Sequence, residues 1–293
     1  MRRKMSKRAW AGILFVLPAM ALFIIFKFIP AVMAIVMAFQ EYDIWGVKWV
    51  GFENFKEIFT WPDFYVALKN TALYTAIIVP KNIFIALILA SILMKLRPKA
   101  QAIYRAAYYL PTVTALVVIA LIWGWLLNPS FGPINAFLQK IGLKPVPWLV
   151  DPNIAMWSII LTDLVIAPGS GIILYMAAMG SIPKSYYEAA ELDGASEIVK
   201  WWKITVPLVK PTTLYLAISY TIVAMSIFDK VYVLTGGGPG NATVTMVYLI
   251  YNTAFRDFNY GQASALSVIF FVIAVVISVF QFKRLSQSFE LGG

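Results

Sequence analysis

The chain consists of long apolar runs separated by short polar connections. Spanning the hydrocarbon of a bilayer takes about 20 apolar residues in a helix. Six runs meet that length, and they lie at about 10–39, 68–95, 103–127, 153–180, 208–230 and 263–283. No segment alternates polar and apolar positions as barrel strands do, so helices are the structures that can satisfy their own backbone in lipid. The pattern predicts an all-α integral membrane protein, with six transmembrane helices in a single domain covering residues 1–293.

The first run also resembles a secretory signal. Basic residues precede AWAGILFVLP, and Ala19-Met20-Ala21 imitates a cleavage site. The apolar run nevertheless continues to about residue 39, far beyond the apolar region of a cleaved signal. We therefore expect an uncleaved first span.

Composition supports the membrane assignment and excludes several kinds of chemistry. Hydrophobic residues make up 61% of the chain and charged residues 13%, whereas soluble domains carry about 25% charged residues. Cysteine and histidine are both absent. This excludes a thiol nucleophile, a disulfide framework, imidazole zinc sites and a histidine proton relay. We expect no catalytic residues and no metal site.

The net charge of +10 raises the question of nucleic-acid binding, and the placement of the charges answers it. The basic residues cluster in alternate connections: Arg2, Arg3, Lys4, Lys7, Arg8; Lys95, Arg97, Lys99, Arg105; Lys184, Lys200, Lys203, Lys210; and Lys283, Arg284. Cytoplasmic loops carry such an excess of Lys and Arg. We therefore predict that both termini and the loop 181–207 are cytoplasmic, and that nucleic acid is not a partner.

One polar segment interrupts the apolar pattern, YYEAAELDGASEIVKWWKITVP, from Tyr186 to Pro207. Pro183 suits a first helical turn, Ser185 with Glu188 forms a potential capping box, and Gly194 is a natural C-cap. These signals predict a short helix over about 183–193. A second interpretation is an amphipathic helix lying on the bilayer, with Trp201 and Trp202 as interfacial anchors.

The order of residues in this segment resembles a known loop. The segment resembles the EAA loop of permease subunits in bacterial binding-protein-dependent ABC importers. The resemblance lies in the order and spacing of Glu188-Ala189-Ala190, Gly194, Ile204 and Val206-Pro207. The usual pattern ends in Leu-Pro, so Val206 departs from it. The stretches 192–196, 234–239 and 260–265 are similar to the carbohydrate branch, of the larger maltose permease and glycerol-phosphate permease type.

The resemblance implies a type I ABC importer permease fold and a transport role. The chain would form half of the path for a sugar, oligosaccharide or related polyol in the bacterial cytoplasmic membrane, and it would not be an enzyme. The residues implied to couple it to the ATPase are Glu188, Ala189, Ala190, Gly194 and Pro207. Implied partners are a second permease subunit, two ATP-binding subunits that hold ATP and Mg, an extracytoplasmic solute-binding protein, and the carbohydrate substrate.

Charges inside the predicted spans are further candidates. Lys81 and Asp163 lie at similar depth, where a charge costs about 2.5–3.5 kcal/mol, so they either pair with each other or line the translocation path. Lys27 lies nearer the end of its span and can snorkel to the interface. Trp157 and Tyr175 either stack on sugar rings or face lipid and the interface.

Two further patterns bear on the structure and on rival functions. Breaks are expected at Pro80 and at Pro168-Gly169-Ser170-Gly171, either to expose carbonyls to a ligand or to kink the helix for packing. TGGGPGNAT, residues 235–243, lacks the ending of a phosphate loop. An ion-coupled transporter that uses Lys81 and Asp163 as a charge relay remains the alternative from another class.

Overall fold

The computed structural model describes residues 7–43 and 46–290. Within them the helical elements are α1 (Lys7–Phe23), α2 (Ile29–Met37), α3 (Glu53–Ile58), α4 (Pro62–Met94), α5 (Pro98–Val113), α6 (Leu116–Leu126), α7 (Pro133–Lys140), α8 (Ala155–Leu164), α9 (Gly169–Gly180), α10 (Lys184–Leu192), α11 (Glu197–Lys200), α12 (Val206–Leu208), α13 (Lys210–Met225), α14 (Asp229–Leu234), α15 (Met246–Phe255) and α16 (Tyr260–Glu290). Two π-helical turns, Ile24–Phe28 and Trp201–Thr205, join α1 to α2 and α11 to α12. Two strands, β1 (Gln40–Asp43) and β2 (Gly46–Trp49), form an antiparallel pair.

The described chain divides into two compact units. The first holds the segment up to Trp61 together with Ile250–Phe271, and the second holds Pro62–Leu249 together with the segment from Val272. In the first unit, the Asn54 side chain donates to the carbonyls of Ala38 and Gln40, both at 3.0 Å. This buried amide fixes the hairpin to the end of the first span. The hairpin is a small departure from the predicted all-α architecture.

The first span is apolar and unburied. Over Ile13–Met37 no part of its most apolar window is buried, and the side chain of Lys27 is exposed. Its π-helical turn follows from Pro30, which has no N–H to donate. The N–H of Ile29 accordingly donates to Ile24, five residues back. Lipid or another protein has to cover a surface of this kind.

The six predicted spans correspond to five helical runs and one bent pair within the described residues. The five are Ile13–Met37, Pro62–Met94, Ala155–Gly180, Lys210–Leu234 and Tyr260–Arg284. The third predicted span, 103–127, is not straight, because α5 and α6 meet at 88°. Thr114 and Ala115 both have extended backbone there. Hydropathy depends on how apolar the residues are and not on their backbone angles, so it did not predict the bend at Thr114 and Ala115.

One predicted break is wrong and the other is confirmed. Helix α4 continues through Pro80, since a membrane helix can accommodate the loss of one backbone donor. The span 153–180 does break, with α8 ending at Leu164 and α9 beginning at Gly169. Pro168 lacks the N–H that a continuous helix needs, and Gly169 and Gly171 have no side chain that favours the helical backbone, so the helix is interrupted here.

The core of the second unit lies between α4, α9 and the start of α13. The buried residues of this cluster are Ala86, Leu87, Ala90, Leu93, Ile172, Tyr175, Met176, Met179, Val209 and Leu216. Small residues allow helices in membranes to approach closely. A Cβ on Gly169 would lie 2.1 Å from the Tyr108 carbonyl oxygen, and one on Gly171 would lie 2.2 Å from the Tyr220 hydroxyl. Close packing therefore requires glycine at the start of α9.

We expect Gly169→Ala to lower the stability of the chain by about 1–3 kcal/mol, because its methyl group meets backbone that cannot move aside. The matched control is Gly180→Ala at the other end of α9, where the nearest atom to an added Cβ is the flexible Met94 Cε at 4.0 Å. Thermal unfolding of the two purified variants in detergent checks this. Equal melting temperatures would contradict the packing argument.

Candidate functional site

The polar segment forms the predicted short helix, α10, from Lys184 to Leu192. Pro183 lies just outside it as the N-cap, with extended backbone at φ −58° and ψ 132°. The predicted capping box is wrong, because no side chain caps this helix start. Since the helix begins at Lys184, Ser185 lies inside the first turn, two residues after the N-cap Pro183.

Gly194 ends this helix as predicted. Its φ is +75°, a left-handed conformation that glycine adopts without steric cost. The N–H of Gly194 donates to Glu191 at 3.0 Å, and the N–H of Ala195 donates to Ala190 at 2.9 Å. These two bonds form a Schellman motif, so the chain reverses sharply after α10.

Helix α10 lies at the surface of the second unit. None of its residues is buried, and Glu188 and Ala189 are exposed while Ala190 is half-buried. Leu192 is 91% exposed. One contact of the helix with the returning chain is the hydrogen bond between the hydroxyls of Tyr187 and Thr205 at 2.9 Å. A short helix with small residues and an exposed leucine offers a surface to a partner.

A network of ion pairs fixes the base of this helix. The ammonium of Lys200 lies 2.6 Å from Glu191 and 2.5 Å from Glu197, and its side chain is only 7% exposed. Glu197 also pairs with Lys95 at 3.1 Å. The hydrogen bond to Glu191, followed by the one to Glu197, raises the pKa of Lys200. Hydrogen bonds from Lys200 and Lys95 lower the pKa of Glu197. The network joins α10, α11 and the end of α4.

The two tryptophans after α11 have different environments. The indole N–H of Trp201 donates to Ser91 of α4 at 2.8 Å, and the ring packs against the core. Trp202 is 58% exposed and stands edge-on to Trp201, with ring centroids 4.7 Å apart. The predicted anchoring role is therefore wrong for Trp201, whose polar atom is used inside the protein. Trp202 keeps the exposure that an interfacial anchor requires. Pro207 follows in the short helix α12.

A second group of charges lies inside the spans, around Asp163 at the end of α8. Its carboxylate pairs with Lys230 of α14 and accepts a hydrogen bond from the Tyr74 hydroxyl at 2.5 Å. Lys230 also donates to Thr162 at 3.2 Å. The predicted pair of Lys81 with the Asp163 carboxylate is wrong, because Lys230 takes that place. The sequence puts Lys230 at the end of a span, which gives no signal of its burial.

Lys81 is close to Asp163 but contacts its backbone. The ammonium donates to the carbonyls of Asp163 at 2.7 Å and Ile166 at 2.5 Å, and to the Asn82 side chain at 3.2 Å. These carbonyls lie where the α8–α9 span breaks. Lys81 thus supplies donors that the interrupted helix no longer provides.

A cavity of about 370 Å³ borders this charge group. Its polar lining consists of Tyr74, Asn82, Asp163, Tyr220, Ser226, Asp229 and Lys230. Trp157 and Tyr175 do not line it: Trp157 is 53% exposed, and Tyr175 is fully buried with its hydroxyl bonded to Thr213 at 2.9 Å. Of the four predicted path residues, the structure brings together Lys81 and Asp163 only.

Comparison with known proteins gives consistent matches over nearly the whole chain. Residues 82–288 match the family described as binding-protein-dependent transport system inner membrane component. The chain is 34% identical over 275 residues to the probable ABC transporter permease protein YurN of Bacillus subtilis, covering 92% of this chain and 94% of that one. It is 33% identical over 279 residues to the lactose transport system permease protein LacF of Rhizobium radiobacter, covering 92% of each.

A solved structure is similar as well. It is a bacterial alginate ABC transporter in complex with an alginate pentasaccharide-bound periplasmic protein. The match has a TM-score of 0.82 and 27% identity, and it covers 94% of this chain and 93% of that chain.

The Asp163–Lys230 pair predicts a specific pattern of stabilities. Lys230→Met should destabilise the chain by about 3–5 kcal/mol, because it leaves the carboxylate buried without its cation. The double variant Asp163→Leu with Lys230→Met should recover most of that loss, since replacing both partners of a buried pair is often neutral. Thermal unfolding in detergent measures the cycle, and additive losses in the double variant would contradict the coupling.

Proposed function

The chain belongs to the family of inner membrane components of binding-protein-dependent transport systems, and from this premise we propose that it forms half of an ATP-driven path for a sugar, oligosaccharide or related polyol. Its role is that of a multi-pass transport permease. Membership of the family argues against the alternative of an ion-coupled transporter. ATP and Mg are held by separate ATP-binding subunits, so this chain itself hydrolyses nothing.

The exposed helix α10 is the observation that carries the proposal. Glu188, Ala189 and Ala190 form its docking face, while Gly194 sets the sharp reversal behind it. The buried Lys200 network holds its base to α4 and α11. A helix that is exposed at its face and fixed at its base transmits displacement from an ATP-binding subunit to the spans. Residues 181–207 are thus the coupling loop, and Pro207 fixes the exit into the next span.

The assembly we propose contains a second permease subunit, two ATP-binding subunits and an extracytoplasmic solute-binding protein. The similarity to an alginate transporter that carries its periplasmic protein supports this composition. The unburied apolar surface of Ile13–Met37 gives lipid or the second permease a large area to cover. The distribution of Lys and Arg supports a single domain in the bacterial inner membrane with both termini cytoplasmic.

The cavity beside Asp163 is the proposed part of the translocation path. Hydroxyl, amide and carboxylate groups from four helices and from Ser226 line it, together with the aromatic rings of Tyr74 and Phe228. Such a mixture suits the hydroxyls and apolar faces of a sugar. Lys81 contributes indirectly, because it holds the carbonyls of Asp163 and Ile166 at the break beside the cavity. Path roles for Trp157 and Tyr175 remain predictions. One relative is named for the transport of lactose, and a similar structure is an importer of the acidic polysaccharide alginate. The proposed substrate class is therefore carbohydrate, and it includes both neutral and acidic sugars.

Charge reversal on the docking face tests the coupling role. We expect Glu188→Lys to leave membrane insertion intact and to abolish co-purification of the ATP-binding subunit, because Glu188 is exposed and has no ion-pair partner among the described residues. Glu53→Lys in α3, an exposed position outside the loop, is the control and should keep that subunit. Unimpaired uptake in Glu188→Lys would contradict docking through α10.

A bulky residue in the cavity tests the path. We expect Ser226→Trp to reduce substrate uptake at least tenfold, because the indole fills space that a passing sugar needs, while the ATP-binding subunit still co-purifies. Ser226→Ala removes only the hydroxyl, which bonds to Ile222 of its own helix at 2.8 Å, and should transport normally. Normal uptake by the tryptophan variant would place the path elsewhere.

A further inference from the structure

A second cavity lies between the C-terminal end of α4 and the proposed coupling loop. It measures about 300 Å³ and borders the ends of α4 and α9 and the start of α10. Its lining includes the apolar side chains of Met94, Met179 and Ile182, together with charged groups, three lysines and the carboxylate of Glu197. No feature of the coupling mechanism requires a cavity with this mixed lining. The combination is that of a site for an amphiphile.

The lysines of the lining carry more positive charge than their carboxylate partners neutralise. Lys95, Lys184 and Lys200 line the cavity, while Glu191 and Glu197 are the carboxylates that pair with Lys95 and Lys200. Three ammonium groups against two carboxylates leave one positive charge in excess. Lys200 is buried in the network, but Lys184 is exposed and has no ion-pair partner among the described residues. The free positive charge is therefore at the mouth of the cavity.

The cavity lies at the depth of a membrane interface. Met94 and Gly180, which line it, are the last residues of two candidate spans. Trp202, next to the lining residue Trp201, has the exposed indole typical of the interfacial belt. The lining residues Met94 and Met179 lie at the ends of α4 and α9, and the exposed Lys95 and Lys184 follow these ends in the chain. In the proposed orientation these ends are on the cytoplasmic side, where anionic lipids attract basic groups.

We propose that this cavity binds the phosphate headgroup of an anionic phospholipid. The phosphate contacts Lys184 and Lys95, and the start of an acyl chain lies on Met94 and Met179, whose flexible thioethers adapt to varied shapes. A volume of about 300 Å³ is at the small end of ligand sites, so it holds a headgroup and not a whole lipid. Basic pockets between membrane helices on the cytoplasmic side bind acidic headgroups in this way.

Lipid bound here occupies the root of the coupling loop. It touches the Lys95 side of the network that fixes α10, and adds an anion where the network is short of one. Coupling is then sensitive to the acidic lipid content of the membrane. The inference rests on the proposed orientation of the chain and not on the identity of the transported sugar.

Native mass spectrometry of the purified transporter complex tests the proposal. The probes are phosphatidylglycerol and phosphatidylcholine, titrated separately into the delipidated complex. We expect phosphatidylglycerol to be retained preferentially, and Lys184→Ala to weaken its binding about fivefold, the effect of one basic residue near an anionic headgroup. The matched control is Lys203→Ala, which removes an exposed lysine of the same loop outside the cavity and should bind as the parent does.

Three results would overturn the site. Equal weakening in Lys184→Ala and Lys203→Ala would indicate general surface electrostatics, and equal retention of the two lipids would indicate no headgroup recognition. Displacement of the lipid by millimolar inorganic phosphate would assign the cavity to a free anion. Co-purification of the ATP-binding subunit, measured in the same preparations, separates these outcomes from a failure of the proposed function, because lipid binding is read independently of coupling.

Discussion

The break between α8 and α9 lies within an apolar span and interrupts its helical hydrogen bonds. Each carbonyl that loses its helical bond needs a donor, and unsatisfied ones cost several kcal/mol in lipid. Lys81 meets this need by reaching from α4 to the carbonyls of Asp163 and Ile166. The ammonium therefore does what backbone amides do elsewhere, and the irregular segment persists beside a cavity. The arrangement ties α4 to the broken span at the point where the polar path is proposed.

Lysine has three distinct uses in the second unit, and each follows from what surrounds the ammonium. Lys81 faces carbonyls, so it acts as a donor to neutral groups. Lys230 faces the Asp163 carboxylate and forms a buried pair. Lys200 faces two carboxylates outside the candidate spans and links two helices of the loop, α10 and α11. In the buried pair, substitution of Lys230 or Asp163 alone is costly, because it leaves the other charge without a partner in a medium of low dielectric constant.

Local signals in the sequence predicted local structure well and tertiary pairing poorly. The spans follow from hydropathy, and helix α10 follows from Pro183 at its start and Gly194 at its end, because proline has a fixed φ and glycine adopts the left-handed φ that ends the helix. The partner of Asp163 could not be found that way. Lys81 and Lys230 are both lysines at the right depth, and only the packing of α14 against α8 selects between them. Trp201 is similar, since its inward orientation depends on Ser91, 110 residues earlier.

The break in the α8–α9 span and the proposed coupling loop lie at opposite ends of helix α9. Helix α9 has 12 residues, about 18 Å of rise, and it begins at the break and ends four residues before α10. Its packing against α4 requires glycine at the start and is continuous through Tyr175 and Met179. In the proposed coupling, a displacement of α10 passes along this closely packed helix and reaches the break, where Lys81 of α4 holds the backbone carbonyls of Asp163 and Ile166. Because ammonium contacts to carbonyls can be exchanged more readily than helical bonds, the break is where such a displacement can be absorbed.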